Sequence, residues 1–335
     1  MRKLFFVIPE FRGIITGGTL YDLQLGIALK ENFIYQNNIL INQHDSDIKI
    51  SLKLKKIPTG SIICIDGLIL SKLKNIINDL STKLKVIILI HHPESMEDSS
   101  SPFNKINNYL KERKVLNSNI TIVAVSHYIK KELRKYLNKY TNIAVAHPGI
   151  DECYFNNTKI SDKYNIISIG NIIPRKGYHN LIEAVHKVDL DWTLNIIGNF
   201  NINKDYYFKL KQKIIDLNLE KRVHFHGTVN KFEMLSLMEK SKLFVLPTLY
   251  EGFGMSLLEA SIFGLKVITT DIPVLREALK GQQAIFVQRN DNICLSKSIE
   301  EGLTSENKHH KIYNKDIYKW KTTKTKFLRV YNARK

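Results

Sequence analysis

The sequence predicts an α/β protein built from two doubly wound, parallel-sheet domains, and three observations lead to that prediction. Short apolar runs recur along the chain with helical patterns between them, which is typical of parallel strands covered by helices on both faces. A chain of 335 residues exceeds one ordinary core. A polar stretch after Pro148-Gly149-Ile150-Asp151 separates the runs into two sets.

Each set of apolar runs predicts one sheet. The first set, in a domain of residues 1–150, comprises Lys3–Pro9, Ser61–Asp66, Val86–Ile90, Ile120–Val125 and Ile143–Ala146. The second set, in a domain of residues 151–315, comprises Tyr164–Ile169, Trp192–Ile197, Val223–His226, Leu243–Leu246, Val267–Thr270 and Ala284–Val287. The closing segment Lys311–Arg334 has a helical pattern, with Trp320, Phe327 and Tyr331 on its apolar side.

The bulk composition excludes several classes of protein. Apolar residues make up 44% of the chain and charged residues 24%, as in soluble globular proteins. No apolar run approaches the ~18 residues of a membrane span, and the N-terminal run stops at Pro9-Glu10, too short for a signal peptide. Three scattered cysteines without C-x-x-C argue against disulfides and zinc. We therefore expect a cytoplasmic protein.

The basic charge does not indicate a nucleic-acid partner. The net charge of +18 divides evenly, +9 in residues 1–150 and +9 in residues 151–335, whereas nucleic-acid domains concentrate charge on one face. A solvated basic surface is favoured over attraction to anionic lipid or substrate. The segment His127–Tyr140 predicts a basic amphipathic helix, which an ordinary domain position explains better than peripheral contact with an anionic membrane.

The most informative stretch is Tyr250–Ala260, which reads Y-E-G-F-G-M-S-L-L-E-A. It predicts a strand, a glycine turn and a helix that begins near Gly254, whose free N–H groups favour an anion. Glu251 is expected at the mouth of the turn and Glu259 within the helix. A nucleotide sugar, with phosphates between two sets of hydroxyls, fits this layout. Alternatively, Ser256 and Glu259 form an S-x-x-E capping box.

Adjacent cations follow the predicted strand Tyr164–Ile169. Arg175 and Lys176 open a helix there, and Arg offers bidentate geometry where Lys offers a point charge. A diphosphate clamp is favoured over a solvated surface pair, because the Glu251 turn follows another strand of the same predicted sheet.

Glycines follow the first predicted strand, within Phe11–Thr19. Gly17 and Gly18 permit a phosphate or sugar ring to approach the backbone, although an ordinary flexible turn explains them equally well. This loop lacks G-x-G-x-x-G and G-x-x-x-x-G-K-[ST]. It therefore gives no fingerprint for a nicotinamide cofactor.

Three further polar clusters have weaker signals. The pair His91-His92 follows the strand Val86–Ile90; a hydrogen bond to a sugar hydroxyl or a structural histidine is favoured over a metal site, because no third ligand has suitable spacing. The loop Gly227-Thr228-Val229 is expected to offer backbone groups to a base. Asp45-Ser46-Asp47 has the D-x-D form of a metal site, and we expect it to be a solvated loop.

Together these elements resemble glycosyltransferase family 4, the retaining transferases with the GT-B fold. The resemblance runs from the glycines near residue 17 to the C-terminal helix, and its strongest element is E-G-F-G-M-S-L-L-E-A, similar to the family's E-x7-E signature, followed by G-L-K-V-I-T-T-D. Lys176-Gly177, H-G-T-V at 226–229 and Pro247–Tyr250 support it. The HHP stretch at 91–93 and the Asp66-Gly67-Leu68 turn look like a bacterial subgroup.

The resemblance implies a role for each site residue. Two Rossmann-like domains face each other across a cleft, the first binding the acceptor and the second the nucleotide sugar, and a helix of residues 316–335 returns to the first domain. The implied catalytic residues are Glu251, Lys176, Arg175 and His91, with Glu251 and His91 on sugar hydroxyls. The implied donor-binding residues are Gly17, Gly18, Val229, Phe253, Gly254, Met255 and Glu259, with Glu259 on the ribose.

One position departs from the family pattern. The family usually has Arg after the glycine that ends the strand before the Lys, and here that residue is Asn171. We expect Arg175 to supply the second positive charge from a different backbone position.

The resemblance implies transfer of a hexose from a UDP- or GDP-sugar to a hydroxyl of a glycan, lipid or small molecule. Retention at the anomeric carbon is expected, without a metal or other cofactor. Two alternatives stay open. Asn171 allows a non-catalytic protein that binds nucleotide sugars, and a nucleotide-sugar epimerase or a phosphorylase shares the fold.

Overall fold

The computed structural model describes residues 1–10, 16–42, 44–93, 102–135, 137–139, 141–155, 163–306 and 315–332. The chain divides into two compact units. Unit 1 comprises Met1–Gly149 together with the C-terminal segment from Asp316, and unit 2 comprises Ile150–Lys315. Each unit is a parallel sheet flanked by helices, and the division falls within the predicted Pro148–Asp151 stretch.

The sheet of unit 1 has the strand order β2-β1-β4-β5-β6-β7, and β3 also pairs with β1. Its strands are β1 Lys3–Pro9, β2 Ile34–Tyr35, β3 Ile39–Ile41, β4 Ile62–Asp66, β5 Lys85–Ile90, β6 Thr121–Ala124 and β7 Ile143–Val145. Every residue of β4 and β6 is buried, as the continuous apolar runs predict. The chain adds β2 and β3 on one side of β1 and then β4 on its other side, so the loops after β1 and β4 flank a topological switch point.

Unit 1 contains six α-helices in the described residues, and the last of them follows unit 2 in the sequence. They are α1 Gly17–Ala28, α2 Asp47–Lys55, α3 Ile77–Lys83, α4 Pro102–Leu116, α5 His127–Arg134 and α12 Trp320–Asn332. Helix α12 packs on α1, with Phe327 and Tyr331 buried. Helix α5 is shorter than predicted, and its Ile129 and Leu133 are fully buried against β6 and β7.

The sheet of unit 2 has the strand order β10-β9-β8-β11-β12-β13. Its strands are β8 Asn165–Ile169, β9 Thr193–Ile197, β10 Val223–Gly227, β11 Leu243–Leu246, β12 Lys266–Thr270 and β13 Ala284–Val287. In order of appearance this is the 3-2-1-4-5-6 arrangement of the Rossmann fold. Its switch point lies between β8 and β11.

The helices of unit 2 cover both faces of this sheet. They are α6 Tyr178–His186, α7 Lys204–Asp216, α8 Lys231–Glu239, α9 Met255–Phe263, α10 Pro273–Ala278 and α11 Asn292–Thr304. Single 3-10 turns occur at Glu152–Phe155 and Pro174–Lys176. Trp192, Tyr178 and Phe244 are among the largest fully buried side chains.

Two expectations are wrong. Helix α9 begins at Met255 after Gly254, and no side-chain hydrogen bond caps it, so Ser256 and Glu259 do not form a capping box. Asp45 does not belong to a solvated loop: it is buried and pairs with Lys49 at 2.6 Å and Lys53 at 2.8 Å. Ser46 caps α2 by accepting a hydrogen bond from the Lys49 amide.

Among the helices of the described residues, none combines the length and the apolar composition that crossing a bilayer requires.

Candidate active site

Two loops of unit 2 carry the strongest chemistry, and the sheet topology places both at its switch point. The first loop follows β8 and holds Arg175 and Lys176 in the 3-10 turn Pro174–Lys176. The second follows β11 and holds Glu251 ahead of α9. Because ligands of open α/β sheets bind beyond the carboxyl ends of the strands at this point, these loops form the candidate site.

A buried ion pair joins the two loops. Lys176 Nζ lies 2.5 Å from Glu251 Oε1, and Arg175 Nη1 lies 3.5 Å from Glu251 Oε2. Lys176 is 9% exposed and Glu251 is 7% exposed. The structure therefore brings together the three unit 2 residues that the sequence marks as catalytic.

The backbone of the two loops is fastened at several points. The Leu249 amide donates to the Arg175 carbonyl at 2.7 Å, and the Thr248 hydroxyl donates to the same oxygen at 3.0 Å. Gly177 has φ +72°, and a Cβ there would lie 2.1 Å from the Pro247 carbonyl oxygen. This close approach requires glycine, and it holds Lys176 at a fixed position relative to Glu251.

The ion pair keeps Glu251 ionised. Burial raises the pKa of the Glu251 carboxyl, but Lys176 and Arg175 more than offset that effect, so its pKa lies below the ordinary value. The guanidinium of Arg175 also donates to the Tyr250 carbonyl at 2.8 Å, which orients it in the loop. Arg175 thus brings a second positive charge close to Glu251.

The start of α9 presents backbone donors. Gly254 has φ +94° and leads into Met255. The first hydrogen bond within the helix runs from the Leu258 amide to the Gly254 carbonyl, so the three preceding amides are not used by the helix. A helix start of this kind favours an anion. Phe253 is buried next to this turn, and Met255 is partly exposed.

Glu259 lies further along α9 in a separate polar cluster. Its partners are Tyr154, Lys231 and Asp151: Lys231 Nζ lies 3.0 Å from Asp151 Oδ2 and donates to the Tyr154 hydroxyl at 3.2 Å. Burial raises the pKa of Glu259, and although Lys231 opposes this, the pKa reaches about 7. Val229 follows β10 and is partly exposed, just before Asn230 caps α8.

In unit 1, His91 lies in a cluster of buried acids. His91 Nε2 is 2.9 Å from Asp22 Oδ1 and 3.9 Å from Asp66 Oδ2. Asp66 ends β4, His91 follows β5, and Asp22 lies on α1, so three elements converge at the carboxyl edge of this sheet. His91 Nε2 and one carboxylate oxygen of each Asp lie within 4.8 Å of one another.

The glycines of unit 1 form the first turn of α1 instead of a loop. Thr16 caps this helix, and Gly17 and Gly18 are its first two residues. A Cβ at Gly18 would lie 2.9 Å from His91 Cδ2, so the missing side chain leaves room for the imidazole. Residues 11–15 of the predicted glycine loop lie outside the described residues.

Sequence reasoning missed several of these partners. Asp22 stands alone in the helical pattern of α1, and its only sequence signal is that it lies four residues after Gly18, on the same helix face. The sequence indicates Asp66 only as part of the Asp66-Gly67-Leu68 turn. Tyr154 and Lys231, which surround Glu259, come from a 3-10 turn and another helix, and no sequence spacing connects them.

The comparisons with known proteins identify the family. Residues 150–319, just over half of the chain, match the family described as Glycosyl transferases group 1. The O-antigen chain mannosyltransferase RfbU of Salmonella typhimurium is 29% identical over 180 residues, which cover 53% of this chain and 50% of RfbU. This chain spans about half the length of the first curated relatives that it matches.

Solved structures share the whole fold. Anabaena Alr3699/HepE in complex with UDP and glucose has a TM-score of 0.80 at 16% identity, covering 99% of this chain and 100% of HepE. Sucrose-phosphate synthase (tll1590) from Thermosynechococcus elongatus has a TM-score of 0.80 at 15% identity, covering 99% of both chains. These similarities confirm the predicted GT-B class with its two parallel-sheet α/β domains. The chain belongs to the glycosyl transferases of group 1.

Proposed function

We propose that the protein transfers a hexose from a nucleoside diphosphate hexose to an acceptor hydroxyl, with retention of the anomeric configuration. The observation that carries this proposal is the buried Lys176–Glu251 pair with Arg175 beside it, at the switch point of a Rossmann-type sheet. The name of the relative RfbU, a mannosyltransferase, supports a hexosyl donor.

The proposed chemistry centres on the leaving group. When the bond from the anomeric carbon to the diphosphate oxygen breaks, the electron pair stays on the diphosphate, where Lys176 and Arg175 stabilise it. The acceptor oxygen bonds to the anomeric carbon, and its proton passes to the departing phosphate on the same face. This order of events retains the configuration without a covalent enzyme intermediate. Glu251 then positions the sugar hydroxyls and the lysine.

The remaining site residues bind the two substrates. In unit 2 we assign the distal phosphate to the backbone amides of Phe253, Gly254 and Met255, in the turn that leads into α9. We assign the ribose hydroxyls to Glu259 and the base to the backbone at Val229. We assign the acceptor to unit 1, where Gly17, Gly18 and His91 lie at the carboxyl edge of its sheet. The acceptor class is a glycan, a lipid-linked sugar or a small molecule.

Donor cleavage in the absence of acceptor tests the proposal directly. UDP-glucose, UDP-galactose and GDP-mannose are incubated with the protein, and nucleoside diphosphate release is measured with and without inorganic phosphate. We expect slow release with one donor that is independent of phosphate, and the freshly released hexose is the donor's anomer by proton NMR. A product hexose of inverted configuration contradicts retention. Release that requires phosphate indicates a phosphorylase. A change in the identity of the hexose indicates an epimerase. If no donor is cleaved, the protein is a binding protein.

The reaction is proposed to need no metal, because Lys176 and Arg175 can supply the positive charge that a metal would otherwise bring to the diphosphate. Treatment with excess EDTA, followed by gel filtration, is expected to leave donor cleavage unchanged. Loss of activity that added Mg²⁺ or Mn²⁺ restores contradicts this part of the proposal.

We also propose peripheral contact with anionic membranes, but not through α5, whose apolar side chains are buried. Helix α2 instead exposes Ile48 and Leu52, at 74% and 59%, one turn apart on the same face. Lys55 and Lys56 are exposed at its end. Exposed apolar groups beside lysines suit the headgroup boundary of an anionic bilayer.

Vesicle flotation distinguishes this surface from general basicity. The Ile48→Glu/Leu52→Glu variant is expected to lose binding to vesicles that contain phosphatidylglycerol, since two carboxylates replace the apolar contact. Phe232→Glu on α8, where the original side chain is 81% exposed, is the control and should bind normally. Equal binding by all three proteins refutes the assignment to α2.

A further inference from the structure

Asp22 and Asp66 place two carboxyl groups beside His91 in a cluster that solvent hardly reaches. Asp22 and Asp66 are each 1% exposed, and His91 is 7% exposed. They come from α1, β4 and the residue after β5. Two carboxylates that share one buried site do not both stay ionised, because each charge opposes the other and neither is hydrated.

The hydrogen bonds of the cluster account for one oxygen of each carboxyl group. Asp66 Oδ1 accepts from the Leu68 amide at 2.8 Å, and Asp22 Oδ1 is 2.9 Å from His91 Nε2. Asp22 Oδ2 and Asp66 Oδ2 are buried and have no hydrogen-bond partner within the part of the chain that the structure describes. Two ionised carboxylates only accept hydrogen bonds, so a proton on one of them allows a bond between these acids and satisfies both oxygens.

We propose that Asp22 and Asp66 share one proton and act as positioning residues that hold His91 as the neutral Nε2–H tautomer. The Nε2–H group donates to Asp22, and Nδ1 is then an acceptor for a substrate hydroxyl. The identity of that hydroxyl rests on the proposed glycosyl transfer. The tautomer and the shared proton do not.

The electrostatics of the surrounding groups agree with this arrangement. Burial raises the pKa of Asp22 well above its ordinary value and raises that of Asp66 to about 7, while burial lowers the pKa of His91. Among the described residues, the other titratable groups that face Asp22 are Tyr21, Tyr35 and Cys64, whose pKa values burial also raises. These groups are neutral at pH 7, so they supply no cation to ionise both acids.

The ring of His91 is held by its neighbours as well as by the acids. The Tyr21 ring packs edge-on against it at 5.1 Å between centroids, and the Tyr21 hydroxyl donates to the Ala146 carbonyl at 3.0 Å. The backbone of Gly18 also lies close to the ring, since a Cβ at that position would be 2.9 Å from His91 Cδ2. The imidazole therefore has little freedom to flip, and the direction of its Nδ1 lone pair is fixed.

The tautomer is measured directly by NMR on protein labelled with 15N in its histidine rings. The His91 signals are assigned by their loss in His91→Gln. We expect the pattern of a neutral ring with protonated Nε2 and unprotonated Nδ1 from pH 6 to pH 8. A ring protonated on both nitrogens at pH 7, or protonated on Nδ1 alone, overturns the proposal. This result does not depend on catalytic activity.

Two variants separate positioning from simple folding. Asp66→Asn supplies a permanent donor to Asp22, so it should keep the wild-type tautomer of His91. Asp22→Ala leaves Nε2 without its acceptor; we expect a mixture of tautomers and a fall of roughly tenfold in kcat/KM, the scale of one hydrogen bond to a charged group. If Asp22→Ala does not fold, the wild-type spectrum and Asp66→Asn still decide. A changed tautomer in folded Asp66→Asn refutes the shared proton.

A metal ion is the competing explanation for three such groups. The 15N spectra are therefore repeated with stoichiometric Zn²⁺ and with Mn²⁺. Unchanged His91 signals support the shared proton. Saturable shifts or broadening at one equivalent, absent in His91→Gln, overturn it and assign the cluster to a cation.

Discussion

Removing Lys176 should destabilise unit 2 and disable the reaction together. In Lys176→Ala the Glu251 carboxylate stays buried, and its nearest cation is Arg175 at 3.5 Å. Removing one partner of a buried pair costs about 3–5 kcal/mol, and we expect ~3 kcal/mol because Arg175 remains. For a domain of this size that corresponds to a fall in Tm of roughly 6–12 °C. Turnover should fall at least ~10²-fold, the scale of one preorganised group.

The chain contains a matched control for this experiment. Lys213 and Glu183 form an ion pair in the same unit, but their side chains are 33% and 37% exposed. Exposed pairs contribute roughly 0.2–1 kcal/mol, so Lys213→Ala should lower Tm by at most a few degrees and leave turnover unchanged.

Thermal unfolding followed by circular dichroism gives the stability, and nucleoside diphosphate release well below each Tm gives the turnover. The Lys176→Ala/Glu251→Ala double variant should lose less stability than the sum of the losses in the two single variants. The reason is that the double variant removes both charges of the buried pair, whereas Lys176→Ala leaves the Glu251 carboxylate without its lysine. The reasoning is refuted if Lys176→Ala and Lys213→Ala shift Tm equally. It is also refuted if folded Lys176→Ala retains near-normal turnover.

Two other predictions concern the loop backbone and Glu259. Gly177→Ala should lower the free energy of unfolding by roughly 2–4 kcal/mol, because the new Cβ clashes with the Pro247 carbonyl and the left-handed backbone is strained for alanine. Gly281→Ala is the control: its φ is +79° but there is open space around the Cβ, so it should cost only about 1–2 kcal/mol. Equal losses of stability in denaturant titrations of the two variants contradict the steric argument. With its pKa at about 7, Glu259 accepts ribose hydroxyls best when ionised, so the Kd for UDP or GDP should rise between pH 8 and pH 6. Glu259→Gln should abolish that pH dependence, and calorimetric Kd values that keep the same slope in the variant would sink the ribose assignment.

The same raised pKa has a consequence for stability. The folded state holds a proton on Glu259 up to about pH 7, whereas the unfolded chain releases it near its ordinary value. The folded state therefore binds more protons between these values, and this group's contribution to stability falls as the pH rises through that window.

The sequence predicts the sheets well because buried parallel strands leave a continuous apolar run. The strands β1, β11 and β13 match their predicted bounds, and the other predicted strands differ by one residue at one end, or at both ends for β6. The short strands β2 and β3 were missed, because two or three residues do not establish a pattern.

The errors come from interactions that spacing alone does not encode. The S-x-x-E motif at Ser256 fails as a cap because the N-cap is the left-handed Gly254, two residues before Ser256. Asp45 is buried because Lys49 and Lys53, which lie on α2, form ion pairs with its carboxylate. The E-x7-E motif predicts Glu251, but its 2.5 Å contact with Lys176 joins residues 75 apart in sequence, which meet only because β8 pairs with β11.

The most direct test of the central claim compares diphosphate and monophosphate binding by calorimetry. If Lys176 holds the distal phosphate, the wild-type protein should bind its nucleoside diphosphate at least ~10-fold more tightly than the monophosphate, the scale of one charge-assisted hydrogen bond. That ratio should shrink markedly in Lys176→Ala and persist in Lys213→Ala. An undiminished ratio in Lys176→Ala would contradict the proposal that this lysine receives the charge of the leaving group.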